Sequence, residues 1–296
     1  MSRASLPVLT AEVPSGKDEA YENFPVGSWL LPAPLRPHVA VFYAFARAID
    51  DIADNPRLTP EEKIARLEGF ERTVLGSGVP NPAFAKGHAM GRTLQQTGIT
   101  PRHCLDLIDA FKQDAIKQRY ANWDELIDYC MRSAAPVGRF LLDLHGGSKH
   151  GYGPADALCN ALQVINHLQD CQEDFRVLGR VYLPTDWMEA AGTSVAALDE
   201  TAASPPLRQV LDHTLDGVAA LLDEAAPLPA GLRSRRLAME SGAILDIART
   251  LTRRLRREDP LAARIALTKP HYVLCCVRGA AFTALSGTRQ MIDADE

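Results

Sequence analysis

Apolar residues recur along this chain at three- and four-residue intervals, and runs of strict apolar/polar alternation bounded by turn residues are almost absent. The spacing predicts helices over 34–54, 60–76, 81–97, 101–117, 122–146, 154–177, 205–224, 233–257 and 270–289, and hence an all-α bundle. Proline and glycine punctuate the pattern at Thr59-Pro60, Gly76-Ser77-Gly78-Val79-Pro80, Thr100-Pro101, Gly146-Gly147, Pro205-Pro206 and Pro227-Leu228-Pro229. None of these breaks reads as an interdomain linker, and the chain shows no internal repeat, so one domain over 1–296 is expected, with 1–18 poorly ordered. Pro136 falls inside the 122–146 segment, where its ring removes a backbone hydrogen bond and predicts a kink.

Two of these helices carry acidic stripes in otherwise apolar sequence. In the first, Tyr43, Arg47, Asp50 and Asp54 follow one another at spacings of four, three and four. In the second, Gln163, Asn166, Asp170 and Asp174 follow at three, four and four. Carboxylates four residues apart lie roughly 6 Å from each other on one helix face, so two such faces set against each other suit shared divalent cations. Hard cations such as Mg²⁺ take oxygen ligands, usually a few carboxylates completed by water and phosphate, and a diphosphate is the natural guest.

An acidic pair at helical spacing is most often solvated surface. Here the surroundings argue otherwise, because Val39, Val41, Phe42, Phe45, Ile49 and Ile52 flank one stripe and Leu162, Val164, Ile165 and Leu168 the other. Carboxylates amid that much apolar sequence need partners.

Composition narrows the remaining classes. A chain of 296 residues with 46% hydrophobic content can bury a large core, and its net charge of −5 argues against nucleic-acid binding. The six cysteines, Cys104, Cys130, Cys159, Cys171, Cys275 and Cys276, form no CxxC pair, so reduced thiols in a cytoplasmic protein are expected, with Cys275-Cys276 in helix core. Neither a signal peptide nor a charge-free apolar run of about 18 residues is evident. The histidines lack the spacing of a zinc site, and no GxGxxG or GxxxxGK[ST] segment supports a nucleotide cofactor. Arg249, Arg253, Arg254, Arg256 and Arg257 read most simply as a solvated helix face.

The motifs together resemble the squalene and phytoene synthases, head-to-head isoprenoid synthases of all-α fold. The resemblance covers most of the chain and rests on Tyr43-Ala-Phe-Ala-Arg47-Ala-Ile-Asp50-Asp51-Ile-Ala-Asp54, on Tyr129-Cys-Met-Arg-Ser-Ala-Ala-Pro-Val-Gly138-Arg139, and on Asn166-His-Leu-Gln-Asp170-Cys-Gln-Glu-Asp174 followed by Gly179-Arg180-Val-Tyr182-Leu-Pro184. The opening Glu22-Asn23-Phe24-Pro25-Val26-Gly27-Ser28 and the stretch Ala110 to Tyr120 are most similar to one branch, the bacterial hydroxysqualene synthases of hopanoid pathways.

This resemblance implies a single isoprenoid-synthase domain with a central apolar tunnel. It implies several Mg²⁺ ions held by Asp50, Asp54, Asn166, Asp170 and Asp174, and a catalytic set of Tyr129, Tyr43 and Arg47. Substrate-binding residues by the same likeness are Phe24, Ser28, Arg47, Asp51, Gln163, Arg180 and Tyr182, with Arg278 a weaker diphosphate candidate. In relatives the helix matching Tyr129 lines the prenyl tunnel, and that tyrosine faces the reacting cations, which its π face or hydroxyl stabilises. The implied reaction ionises presqualene diphosphate, rearranges the cation and captures it with water, without NADPH. Closest to it are presqualene diphosphate synthesis from two farnesyl diphosphates and phytoene synthesis from longer chains. Gln169 stands where many phytoene-type relatives have arginine, which weakens the latter. A non-catalytic prenyl-diphosphate binder is the alternative of a different class, though both stripes are intact. Enzymes supplying presqualene diphosphate and reducing the alcohol are the implied pathway partners, and peripheral contact with the inner membrane follows from the long hydrocarbon product.

Overall fold

A computed structural model describes residues 31–77 and 81–292. The described chain runs through α1 (Arg36–Ala53), α2 (Pro60–Val74), a 3₁₀ turn (Pro82–Phe84), α3 (Ala85–Thr97), α4 (Arg102–Asp114), α5 (Trp123–Ser133), α6 (Ala135–Leu144) and α7 (Gly153–Gln169). It continues through the short α8 (Cys171–Glu173), a π turn (Asp174–Leu178), α9 (Thr185–Ala190), a 3₁₀ turn (Val195–Asp199), α10 (Pro205–Ala225), α11 (Leu228–Gly231), α12 (Arg235–Leu255) and α13 (Lys269–Ile292). Among the described residues, β pairing is confined to two isolated bridges, Arg119 with Val181 and Ser148 with Leu232. The all-α expectation holds.

The helix starts follow from local chemistry. Thr59 closes a capping box with Glu62, accepting from its backbone N–H while the Glu62 carboxylate accepts from the Thr59 N–H at 2.8 Å, and Pro60 takes the first helical position. Asn122, Ser204 and Ser234 cap α5, α10 and α12 by accepting, through their side chains, the backbone N–H three residues on. Gly98, at φ +70°, ends α3 in the left-handed region.

The segment expected as one kinked helix over 122–146 is two helices. Ala134, at φ −125° and ψ −48°, breaks the run, and Pro136 lies in the first turn of α6, where its missing N–H costs nothing. The turns at Thr185–Ala190, Val195–Asp199 and Leu228–Gly231 were too short to leave a periodic signal.

Two apolar clusters carry the packing. One is built from α1 to α4 together with Phe140, and the other from α5 onward, joined by Leu31, Val39, Ala110 and Tyr120. Within the first cluster, Phe42 of α1 stacks on Phe140 of α6, ring centroids 4.1 Å apart. Backbone contacts tighten the second cluster: Gly138 brings α6 against Cys159 of α7, and Gly279 brings α13 onto the backbone of Gly242 in α12. All six cysteines are free; Cys275 is buried and Cys276 half-buried. Within the basic run, Arg254 pairs with Glu258 and Arg256 with Asp216 at the surface.

Candidate active site

A cavity of about 320 Å³ runs between the two clusters, with walls from α1, α4, α5, α6, α7 and α12. Its composition is graded along the helices that line it. On α7 the lining residues pass from Ala155, Leu158 and Leu162 to Gln163, Asn166 and His167, and just past its end to Asp170. On α1 they pass from Val39, Phe42 and Ala46 to Arg47 and Asp50, and just past its end to Asp54. One end is therefore apolar and the other acidic.

The two acidic stripes line the same cavity: Tyr43, Arg47, Asp50 and Asp54 from one side, Gln163, Asn166, Asp170 and Asp174 from the other. Although α7 ends at Gln169, the backbone keeps its four-residue hydrogen bonds through the break, since the Asp170 N–H donates to Asn166 O at 3.0 Å and the Asp174 N–H to Asp170 O at 2.8 Å. The stripe therefore survives the end of the helix that was expected to carry it.

Arginines meet three of these carboxylates. Arg47 pairs with Asp50 at 2.9 Å and Arg180 with Asp54 at 2.6 Å, while Arg264 donates to Asp170 at 2.7 Å. The Arg180 side chain is 5% exposed and also donates to the Ala53 carbonyl at 2.7 Å. It is delivered there by Gly179, whose φ of +67° turns the chain out of the π turn. The Val181 N–H then donates to Gln118 O at 2.9 Å, which anchors this strap on the loop after α4. Burial by itself would lower the Arg180 pKa, but Tyr182, Asp114 and Asp54 outweigh it and hold the guanidinium charged. Lys63 donates to the same Ala53 carbonyl at 2.7 Å, and burial followed by the nearby Arg180 charge lowers its pKa.

Behind the acidic end lies an aromatic wall. The Tyr129 hydroxyl donates to Asp114 Oδ2 at 2.6 Å and the Tyr182 hydroxyl to Asp114 Oδ1 at 3.3 Å. Burial pushes the Asp114 carboxyl up to about 6 against the opposing Arg180 charge, and burial holds both phenols protonated. His167 stacks on Tyr182 with ring centroids 3.6 Å apart, and burial with Arg180 pushes it down to about 3, so it is a neutral ring. Three π systems thus face the cavity beside the carboxylates, a setting suited to positive charge.

Two expected site residues do not join. Asp51 is buried and outside the cavity wall, because one step along a helix from Asp50 rotates a side chain by about 100°. Arg278 lies on α13, outside α12, and pairs with Asp246 through Nε at 3.0 Å and Nη2 at 2.8 Å, so its charge is spent at the surface. Phe24 and Ser28 fall outside the described residues. Sequence reading missed Arg264, Lys63 and the partnership of Asp114 with the tyrosines. Arg264 sits in the irregular 256–268 stretch, where no periodicity marks a face.

Oxygen donors from Asp50, Asp54, Asn166, Asp170 and Asp174 fit hard divalent cations. Among the described residues, no three Asp, Glu, His or Cys side chains converge into a preformed cage. The donors flank the cavity instead, which is the arrangement of ions bound by one or two carboxylates and completed by water and substrate phosphate.

A squalene/phytoene synthase family model matches residues 18–271. A hydroxysqualene synthase of Rhodopseudomonas palustris is 42% identical over 276 residues, 93% of this chain and 92% of the relative. Another from Zymomonas mobilis is 40% identical over 279 residues, 94% of this chain and 91% of the relative. Among solved structures, squalene synthase HpnC from Alicyclobacillus acidocaldarius superposes with a TM-score of 0.68 at 31% identity, covering 78% of this chain and 87% of that one.

Proposed function

Since the chain belongs to the squalene/phytoene synthase family, we propose that it ionises presqualene diphosphate, rearranges the resulting cation and captures it with water to give hydroxysqualene and diphosphate. The observation that carries this reading is the graded cavity, which joins a carboxylate–arginine end fit for a metal-bridged diphosphate to an apolar length fit for two prenyl chains.

Asp50, Asp54, Asn166, Asp170 and Asp174 would hold Mg²⁺, which when bound neutralises the departing diphosphate as a Lewis acid. Arg47, Arg180 and Arg264 face that end and take up diphosphate oxygens, exchanging carboxylate partners for phosphate ones. Gln163 extends the polar wall, and its amide lies 3.3 Å from His167 Nε2. Tyr43, Tyr129, Tyr182 and Phe42 line the cavity, and their π systems stabilise the cation. The remaining apolar lining excludes bulk water, so the cation survives long enough to rearrange.

No described helix is long and apolar enough to cross a membrane. Peripheral contact with a membrane surface is part of the proposal and is supported by Val273, Leu274 and Val277, exposed together on α13.

The test is incubation with Mg²⁺ and without NADPH, separately with farnesyl diphosphate and presqualene diphosphate, followed by mass analysis of the extracted lipid. Hydroxysqualene from presqualene diphosphate alone is expected. Conversion of farnesyl diphosphate to presqualene diphosphate would move the chain one step earlier, and turnover of neither would overturn the reading.

A further inference from the structure

Water capture requires one water molecule to be held beside a cation in a cavity that otherwise excludes water, together with a group to receive its proton. At the acidic end Asp50, Asp54 and Asp170 already meet arginines, and both oxygens of Asp114 accept from tyrosines. Elsewhere in the cavity lining, Glu240 Oε2 and Ser133 Oγ are buried polar atoms without any hydrogen-bond partner.

Glu240 shares one face of α12 with Leu237, Ser241 and Ile244, and all four line the cavity. The residue is 5% exposed. Burial pushes its carboxyl up to about 7. Its position along the cavity follows from the ends of α7 and α12. Just before the two helices begin, the Lys149 N–H donates to Gly231 O at 2.8 Å; at the end of α7 and beyond that of α12, Gln169 donates to Ile265 O and Arg264 pairs with Asp170. The helices therefore run the same way. Glu240, in the second turn of α12, lies level with the apolar first half of α7 and away from the carboxylates. Ser133 follows Tyr129 by one turn on α5. A buried, unpartnered carboxyl in an apolar wall is costly, and few native structures keep one without a use for it. An apolar cavity also retains a water only where two or more polar atoms hold it.

We propose that Glu240 is the base of the capture step, holding the water through its carboxylate and taking its proton. The inference rests on the water-capture reading above. In the step, the water oxygen forms the new C–O bond to the cationic carbon and one of its O–H bonds breaks. The electrons of that bond stay on the alcohol oxygen while the proton passes to Oε2 of the Glu240 carboxylate. The carboxylic acid returns the proton to solvent after the product leaves, and the base is restored.

The test compares wild type, Glu240→Gln and Glu240→Asp with presqualene diphosphate and Mg²⁺ in ¹⁸O-labelled water, measuring diphosphate release and the identity of the lipid. Thermal melts confirm that each variant is folded. Glu240→Gln is expected to release diphosphate at close to the wild-type rate while labelled hydroxysqualene falls about 100-fold, replaced by hydrocarbons formed through proton loss. Glu240→Asp, which keeps a carboxylate one methylene back, is expected to recover part of the alcohol. Undiminished hydroxysqualene from Glu240→Gln overturns the assignment, as does a parallel fall of diphosphate release and alcohol in both variants. A wild-type enzyme that makes no hydroxysqualene overturns the functional reading itself, and that failure is seen without any variant.

Discussion

Replacing Glu240 by Gln keeps the side chain's shape and removes its ability to ionise, which makes stability against pH a direct measure of how deeply the carboxyl is buried. Its ordinary value is 4.5 and burial in the fold moves it to about 7. Below pH 4.5 the group is neutral whether the chain is folded or unfolded and costs nothing. Between the two values the folded protein holds a proton that the unfolded chain has released, so stability falls as pH rises, and above about 7 the full cost is present. At 1.36 kcal/mol per pH unit, the gap amounts to about 3 kcal/mol. Glutamine lacks this penalty. The melting temperature of Glu240→Gln relative to wild type should therefore rise between pH 5 and pH 8 by on the order of 6 °C for a chain of this size. Calorimetric or fluorescence melts at both pH values, without metal or substrate, provide the comparison. Contributions from other buried acids, such as Asp114, cancel in the difference. An equal offset between the two proteins at both pH values would refute the claim that this carboxyl is buried and unpaired.

Arg180→Lys keeps the charge but not the fork that reaches Asp54 and the Ala53 carbonyl, so diphosphate release should fall about 10- to 100-fold with little change in melting temperature; unchanged release would remove Arg180 from the anion site. Asp170→Asn should raise the Mg²⁺ concentration needed for half-maximal diphosphate release at least about tenfold, and an unchanged Mg²⁺ requirement would count against Asp170 as a ligand. Gly279→Ala should destabilise by about 3 kcal/mol, because its Cβ would stand 2.2 Å from Gly242 O, and a melt within 1–2 °C of wild type, against the shift on the order of 6 °C that this cost implies, would contradict that close helix crossing. The double substitution Val273→Asp and Val277→Asp should reduce co-sedimentation with anionic liposomes without changing turnover of detergent-dispersed substrate; unchanged co-sedimentation would remove this face from the membrane proposal.

What could be read from the sequence was what local geometry repeats. Helical periodicity placed α1, α2, α4, α10 and α12 to within a few residues, because the apolar stripe and the capping residues are both encoded nearby; for α7 it placed the start, while the helix ends at Gln169 and not at 177. The two polar stripes stood out for the same reason, and Arg47, Asp50, Asp54, Asn166, Asp170 and Asp174 all reach the cavity. Asp51 shows the limit of that logic: a motif names adjacent carboxylates alike, while helix rotation sends only one of each neighbouring pair to the cavity. Arg278 shows another limit, since an arginine near the C-terminal end of a motif carries no record of the aspartate that will meet it.

By itself the sequence determined the all-α class, the faces of the helices that carry oxygen donors and, through its motifs, the family. Only the tertiary structure decided which distant groups meet. It set Asp114 between two tyrosines, Arg264 on Asp170 and Arg180 on Asp54, pairs separated in sequence by 15 to 126 residues. It also left Glu240 as an unpartnered carboxyl in an apolar wall. A single glutamate on a helix looks like any surface residue in sequence. Its desolvation, and with it its pKa, depends on which helices pack around it, and that is fixed only when the whole bundle closes.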